Sequence, residues 1–225
     1  MCSGGIRWRT ITVVVATATA AVLVPSLATG QQPGRQVTLV AEPALIKFNT
    51  ANVSVHGQLV GVANPGRVRV MLRSAVSPYR RFRPRARMNA RPDGTFAFTV
   101  APSVNTQYQV VAAARPNLQS PAVGVLVLRQ VTIKLSSATP RAGKRLRVSG
   151  FVYPKEDGDA IALQFGDGTN WRTVQTGRIY DVGSGRSGYG FVRAAPRRRT
   201  QVRVVLPADG QHPDSTSGAR SLRPR

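Results

Sequence analysis

Apolar and polar residues alternate in short runs along most of the chain. From residue 37 onward the apolar runs span about five to eight residues, and Gly, Pro, Asp or Asn separates them. In Val53-Ser54-Val55-His56-Gly57 the apolar positions and the glycine recur at every second residue. This period is that of a β-strand with one buried face, and no run from residue 37 onward keeps the 3.6-residue period of a substantial helix. The pattern therefore predicts an all-β fold.

The predicted strands fall into two successive sets. The first set is 53–57, 68–73, 95–100, 108–112 and 123–128, and the second is 131–135, 146–152, 160–165, 171–176, 187–192 and 200–206. Asp93-Gly94 between alternating segments is a strong hairpin signal. The last segment of the second set, 217–222, has few large apolar residues. We therefore expect a weakly paired final strand there.

The two sets are copies of one unit. The segment Thr106-Gln107-Tyr108-Gln109-Val110-Val111 returns 94 residues later as Thr200-Gln201-Val202-Arg203-Val204-Val205. Further matches, 93 or 94 residues apart, pair 37–39 with 131–133, 55–57 with 148–150, and 94–98 with 187–191. Four anchors in one order predict two tandem β-sandwich domains, over 37–130 and 131–225. The short join between them predicts an elongated, semi-rigid pair.

The N-terminus has the features of an export signal. Arg7 and Arg9 precede an uncharged, mainly apolar stretch, and Ser26-Leu27-Ala28 provides small residues before a cleavage point. We predict that 1–28 is a signal peptide, that 29–36 is a polar leader, and that the mature chain is secreted or associated with the cell wall. The alternative is an uncleaved anchor helix, for which the apolar stretch is slightly short.

Basic residues dominate the charge of the chain. Lys and Arg number 32 against nine Asp and Glu, which gives a formal net charge of +23, and 28 of the basic residues are Arg. A high-G+C genome explains Arg in place of Lys, but it does not explain the scarcity of acids. Such a chain attracts polyanions at low salt. The single cysteine, Cys2, lies before the apolar stretch, so the mature chain is predicted to lack disulfides and thiolate metal sites.

The order of motifs resembles a family of secreted modules. V-x-G is followed by an alternating strand, an aromatic residue near a charged stretch, and G-x-[FY]-x-F; in the second copy these are 148–152, 161–164, 171–174 and 188–191. The pattern is similar to the immunoglobulin-like or fibronectin-III-like tandem modules of high-G+C, actinobacterial-type bacteria. The resemblance implies two immunoglobulin-like antiparallel β-sandwiches without the antibody disulfide. It implies no single activity, because such modules serve as spacers, adhesins and appendages of enzymes.

The densest candidate site is an arginine-rich segment at 79–87. Five arginines are interleaved with two aromatic residues: Tyr79, Arg80, Arg81, Phe82, Arg83, Arg85 and Arg87. Such a segment can contact phosphates while its rings stack on a base or sugar, which predicts polyanion binding. The alternative is a charged edge strand that prevents aggregation, with Phe82 in the core. A second group, Arg197, Arg198 and Arg199, is expected in a turn. It either contributes to polyanion binding or is simply a solvated turn.

The remaining chemistry-bearing residues predict no catalytic, metal or cofactor site. Trp171 corresponds to Phe82, which favours a shared core position over an exposed sugar platform. His56 and His212 have no matched partner for a triad or a zinc site. The acid cluster 156–159 lacks the spacing of a calcium loop and is interpreted as a turn. The chain also lacks a set of acid, base and nucleophile, so we predict that it is not an enzyme.

Two functional hypotheses follow. The first is a non-enzymatic, exported tandem protein that acts as a structural or adhesive module at the cell envelope. The second is a specific binder of a polyanion, such as a wall polymer, an acidic glycan or a nucleic acid. The expected partners are anionic envelope polymers or another exported protein, and nucleic acid is not expected to be the physiological partner.

Overall fold

Strands make up nearly all of the regular structure. The computed structural model describes residues 34–114 and 117–225, so the predicted signal peptide and most of the leader lie outside the described residues. Within the described part, the exception to the β-structure is one 3-10 turn, Pro65–Arg67. The predicted all-β fold, with sandwiches in tandem, is confirmed.

The first sandwich consists of two sheets. Its strands are β1 (Gln36–Val37), β2 (Val40–Glu42), β3 (Leu45–Lys47), β4 (Val53–Val60), β5 (Arg69–Val76), β6 (Arg83–Asn89), β7 (Thr95–Val100), β8 (Thr106–Ala112), β9 (Leu118–Gln119) and β10 (Val123–Leu128). One sheet has the order β1-β4-β2 with β7 also beside β4, and the other has the order β3-β10-β8-β5-β6 with β9 beside β8. Strands β3 and β10 pair in parallel, whereas the other described pairs are antiparallel.

The second sandwich repeats the two-sheet arrangement. Its strands are β11 (Gln130–Val131), β12 (Lys134–Leu135), β13 (Arg145–Tyr153), β14 (Ala160–Gly166), β15 (Trp171–Arg178), β16 (Tyr180–Asp181), β17 (Ser187–Ala194), β18 (Thr200–Leu206), β19 (Ser215–Thr216) and β20 (Arg220–Leu222). One sheet has the order β11-β13-β17-β16 with β12 beside β13, and the other has the order β15-β14-β18-β19 with β20 beside β18.

Alternating side chains from the facing sheets form the two cores. A large apolar side chain contributes about 1.5–3 kcal/mol when it is fully buried, so the inward positions supply most of the driving force. The first core includes Val53, Val55, Phe96, Leu72, Val110 and Val125. The second includes Val148, Tyr189, Phe191, Ile161, Leu163 and Val204.

The repeated glycine of the V-x-G motif has a steric cause. A Cβ atom on Gly57 would overlap the carbonyl oxygen of Thr38, and one on Gly150 would overlap the carbonyl oxygen of Thr132. In the second sandwich the hydroxyl of Tyr189 donates to that same Thr132 oxygen, at 2.5 Å. The first strand of each sandwich therefore approaches the glycine closely, and a larger residue would displace it.

The end of the second sandwich is better paired than the sequence suggested. Both β19 and β20 pair with β18, and Leu222 is fully buried, so the expectation of a weakly paired final strand was wrong there. Buried serines replace some of the missing apolar side chains. The hydroxyl of Ser217 accepts a hydrogen bond from the backbone N–H of Val204, at 2.9 Å. One large side chain and local hydrogen bonds thus hold this segment.

The described residues of both sandwiches belong to one compact unit. Strands of the first two sheets lie within 36–128, and those of the other two lie within 130–222. The domain boundary between 130 and 131 remains our prediction. Among the described residues, no helix is both long and apolar enough to cross a membrane.

Candidate functional site

One residue, Arg129, separates the two sandwiches along the chain. Strand β10 ends at Leu128 and β11 begins at Gln130. The Arg129 side chain is fully buried, which is rare for arginine. Its backbone N–H donates to the hydroxyl of Ser215 at 2.9 Å, so the linker itself is tied to the second sandwich.

The buried guanidinium of Arg129 is surrounded by acceptors. A buried charge is tolerated only when it is paired and hydrogen-bonded. Both conditions hold for its terminal nitrogens. Nη1 lies 2.9 Å from Glu156, 2.8 Å from Asp209 and 3.3 Å from Asp159, and Nη2 donates to the carbonyl oxygens of Leu206 (3.4 Å) and Pro207. The Nε atom is buried without a hydrogen-bond partner. These acceptors come from the loops after β13 and β18, so the linker side chain joins two loops of the second sandwich.

His212 extends this cluster to the first sandwich. Its ring is buried, with Nδ1 3.0 Å from Glu156 Oε1 and 3.4 Å from Asp209 Oδ2. On the other side, Nε2 lies 3.2 Å from the backbone carbonyl oxygen of Ser103. Burial disfavours the charged ring, but Glu156, the Ser103 carbonyl and Asp209 outweigh burial and raise the pKa of His212. The ring therefore contacts acceptors from both sandwiches, and these contacts favour its charged form.

The carboxylates of the cluster have different environments. Burial disfavours the charge of Asp209, but backbone N–H groups of Gln211 and His212, together with Arg129, outweigh burial and lower its pKa. For Asp159, burial and the nearby Glu156 charge raise the pKa despite Arg129. The fold thus favours the ionised form of Asp209 and disfavours that of Asp159.

Further hydrogen bonds connect the same loops across the junction. The backbone N–H of Asn105 donates to the carbonyl oxygen of Gln211 at 2.8 Å, and the Ser77 hydroxyl donates to the carbonyl of Gly210. The Asn105 side chain also accepts a hydrogen bond from the backbone N–H of Val127 at 2.9 Å. This bond holds the turn whose backbone N–H, that of Asn105, donates to Gln211. Two segments of the first sandwich, at Ser77 and at 103–105, therefore contact one loop of the second, at 210–212, in addition to the chain connection.

We define the junction cluster as Arg129, Glu156, Asp159, Asp209 and His212. Ligand atoms of Glu156, Asp209 and His212 lie within 4.8 Å of one another, which is a spacing seen in metal sites. The guanidinium of Arg129, however, contacts both carboxylates and supplies the positive charge that a metal ion would supply. A cleft of about 570 Å³ beside the cluster is lined by Ser77, Pro78, Glu156, Asp157, Asp159, Asp209, Gly210 and Gln211. The arrangement neutralises charge and fixes loops; we assign it no metal.

Sequence reasoning missed this cluster. It placed 156–159 in a turn, where they do lie. It considered His212 only as a member of a triad or a zinc site, and so it did not predict the contacts with Glu156, Asp209 and Ser103. Two signals were available. The tetrapeptide Arg-Gln-Val-Thr occurs at both 35–38 and 129–132, which marks Arg129 as part of the repeat. In addition, five of the nine acidic residues of the chain lie in the two loops that contain the cluster acids.

The predicted arginine-rich segment lies at the edge of a sheet. Arg80 and Arg81 are exposed in the loop before β6, and the arginines of β6 are exposed on the edge strand. A bulge breaks the alternation of this strand. Arg87 lies opposite Met71, whereas Arg85 turns toward Ser74 and donates to its hydroxyl at 2.7 Å. The five arginines are neighbours along one edge, but they do not share one face.

Tyr79 and Phe82 of this segment, and Trp171 at the corresponding position of the second sandwich, lie outside the two hydrophobic cores. Tyr79 and Phe82 are half-buried, and Phe82 is absent from the first core cluster. Trp171 is also half-buried, with the Arg203 guanidinium 4.1 Å from its ring centroid and Nε1 donating to Gly168 at 3.2 Å. The predicted core positions of Phe82 and Trp171 were therefore wrong. The ring of Trp171 instead lies over Gly166, whose missing side chain leaves the space.

The second basic group, Arg197 to Arg199, does not lie beside the arginine-rich segment at 79–87. Arg197, Arg198 and Arg199 are exposed in the turn before β18, as the sequence predicted. The opposite end of β18 contacts Arg129 at the junction. A strand of this length spans roughly 20 Å, so the two arginine groups form separate surfaces.

No family model matches the chain, and no curated protein matches it. Among solved structures, it is similar to the crystal structure of a tetra-tandem repeat in the extending region of a large adhesion protein, with a TM-score of 0.39 and 15% sequence identity. The match covers 84% of this chain and 49% of that one, so the chain spans about half the length of its structural neighbour.

Proposed function

We propose that the chain is a non-enzymatic, exported tandem of immunoglobulin-like sandwiches that acts as a structural or adhesive module at the cell envelope. The observation that carries the proposal is the buried junction cluster. An arginine that links two sandwiches and is completely withdrawn from water costs free energy unless it is well paired. Glu156, Asp159 and Asp209 provide this pairing, and His212 connects two of these acids to the first sandwich. Together these contacts give a fixed joint.

A fixed joint is what a module needs when it holds other groups apart. Two sandwiches on a flexible linker move independently, because interfaces within a chain are normally small and polar. Here the linker is a single residue, and its side chain is anchored in the second sandwich. Ser77, Ser103 and Asn105 of the first sandwich bind the loop that carries His212. These contacts support a pair that moves as one body.

Residual dipolar couplings of the full chain test the fixed joint. We expect one alignment tensor to fit the backbone N–H couplings of both sandwiches, because the contacts across the junction restrict rotation. The variant Arg129→Met should give two different tensors, while Arg87→Met removes an exposed arginine and should leave one tensor. Two tensors for the unmodified chain would overturn the proposed rigid module.

Export is tested separately, by expressing the chain with its own N-terminus in a bacterial host. Mass spectrometry of the culture medium should detect a protein that begins near Thr29. Detection of only the uncut chain, in the membrane fraction, would show that the N-terminal segment is an anchor instead.

A second candidate function is polyanion binding by the arginine-rich edge. The specific observation is that Arg80, Arg81, Arg83, Arg85 and Arg87 are all exposed along one edge of a sheet. Exposed arginines release counterions when they contact phosphates, and five contacts on duplex DNA give a log–log salt slope of about −4.5. A wall polymer or acidic glycan would be bound by the same charges.

A pair of charge-matched variants separates specific binding from general attraction. In one, the five edge arginines are replaced by Gln. In the control, five exposed arginines elsewhere are replaced by Gln: Arg141, Arg145, Arg147, Arg220 and Arg223. Specific binding predicts that only the first variant loses most of the salt slope with duplex DNA or heparin as the probe. Equal losses would show that attraction depends on the total charge alone.

A further inference from the structure

The partners of His212 determine which protons its ring carries. Glu156 lies beside Nδ1 and the carbonyl oxygen of Ser103 lies beside Nε2, at 3.0 and 3.2 Å. A carbonyl oxygen and an ionised carboxylate only accept hydrogen bonds, while a neutral imidazole has a single N–H. Nη1 of Arg129 donates to the other oxygen of Glu156 at 2.9 Å, so this carboxylate already acts as an acceptor there. Both contacts are satisfied only when the ring is doubly protonated.

We infer that the joint between the sandwiches is pH-sensitive, and that loss of the second His212 proton releases the loop at 209–214 from the first sandwich. The inference rests on the proposed fixed joint. A neutral ring can keep its bond to Glu156 or its bond to Ser103, but not both. Donation to Glu156 is favoured over donation to a neutral carbonyl, because a carboxylate acceptor makes the stronger hydrogen bond. The contact with Ser103 is therefore the one that is lost.

The charged groups around the His212 ring also favour the docked state when the ring is protonated. From the second sandwich, Glu156 and Asp209 face Nδ1, and Arg129 and Asp159 belong to the same cluster. From the first sandwich, the group in contact with the ring is the neutral carbonyl of Ser103. Two positive groups oppose three carboxylates while the ring is charged. After deprotonation Arg129 alone opposes them, so less positive charge holds the loops after β13 and β18 together.

The direction of the pH effect follows from the raised pKa of His212. Its pKa in the fold is above the ordinary 6.5, so the protonated ring stabilises the docked state. This stabilisation is complete below the ordinary value and is lost as the pH rises through the pKa in the fold. The joint should thus be tight in mildly acidic medium and looser in alkaline medium.

Hydrogen exchange on the full chain measures this opening directly. The Asn105 N–H, which donates to Gln211 across the joint, is the reporter, and the Val110 N–H, which donates to the Ser120 hydroxyl inside the first sandwich, is the control. Between about pH 6 and about pH 9, the Asn105 protection factor should fall roughly tenfold, as expected for loss of a hydrogen bond with a charged partner. The Val110 factor should not change.

Two variants and one spectroscopic signal identify the group responsible. His212→Gln should show the reduced Asn105 protection at both pH values, and His56→Gln should retain the pH dependence. If His212→Gln does not fold, ring ¹⁵N shifts of the unmodified chain decide the matter: His212 should be mainly an imidazolium at about pH 6.5, where half of an ordinary histidine is neutral. A neutral His212 ring at about pH 6 in the docked state, or constant Asn105 protection, would overturn the inference.

The residual dipolar couplings keep the two proposals distinguishable. Separate tensors at every pH would contradict the proposed rigid module. A single tensor with equal Asn105 protection at acidic and alkaline pH would contradict only the pH-sensitive joint.

Discussion

Arg129 and the arginines of β6 carry the same charge in very different surroundings. Arg129 is withdrawn from water and contacts three carboxylates, whereas Arg83, Arg85 and Arg87 are exposed on an edge strand. The chain has only nine acidic residues against 32 basic ones, yet three of these acids contact the buried linker residue Arg129. The comparison indicates that the acids stabilise the joint, while the exposed arginines remain available for external anions or for solvent.

The largest expected effect comes from removing the buried charge. Arg129→Met should lower the free energy of unfolding by about 3 kcal/mol, because the cluster acids would lose their paired cation. Arg87→Met removes an exposed arginine and should change it by less than about 0.5 kcal/mol. Urea denaturation followed by circular dichroism gives both values. Similar losses of unfolding free energy for the two variants would mean that the buried Arg129 contributes no more to stability than the exposed Arg87.

A smaller effect is expected from the acids themselves. Asp209→Asn should lower the free energy of unfolding at neutral pH by about 1–2 kcal/mol, because a charge-assisted hydrogen bond to Arg129 becomes a neutral one. Because the fold lowers the pKa of Asp209, its stabilisation exists above the ordinary value of 3.8 and is lost as the pH falls below it. The Asn variant should therefore lose less stability on acidification than the unmodified chain does.

Asp159→Asn is the matched control for this measurement. The pKa of Asp159 is raised, so the fold disfavours its ionised form and little is lost when the charge is removed. Urea titrations at several pH values compare the two variants. If Asp159→Asn proved as costly as Asp209→Asn, the assigned difference between the two carboxylates would be wrong.

The smallest effect is expected at the exposed turn before β18. Replacement of Arg197, Arg198 and Arg199 by Gln should change the free energy of unfolding by less than about 0.5 kcal/mol, since surface charges away from partners contribute little. Thermal denaturation checks this value. A larger loss would indicate that this turn has structural partners and would weaken the contrast between buried and exposed arginines.

The sequence predicted the fold well because strand formation leaves a local, periodic signal. Alternation identified β4, β7 and β13, and repeated anchors identified the tandem. The junction cluster left no such signal, because Ser103, Arg129 and His212 are far apart in the chain and meet only after both sandwiches have formed. The bulge at Arg85 was also missed, although Pro84 beside it is a residue that sheets confine to edge strands and bulges.

Single side chains were the least predictable feature. Trp171 and Phe82 were expected in the core because they occupy corresponding positions in the two copies. Trp171 instead lies between Gly166 and the Arg203 guanidinium, and this environment depends on a glycine on one strand and an arginine on another. Such combinations are not encoded in the hydrophobic pattern of either strand.

The parallel pairing of β3 and β10 has a mechanical consequence. β3 lies near the start of the first sandwich and β10 at its end, with Leu45 beside Leu126 and Lys47 beside Leu128. A pulling force that enters near the start of this sandwich and leaves through Arg129 slides the two strands along each other. The hydrogen bonds between them are then loaded together in shear instead of being opened one at a time. We expect this patch to set the tension at which the first sandwich yields.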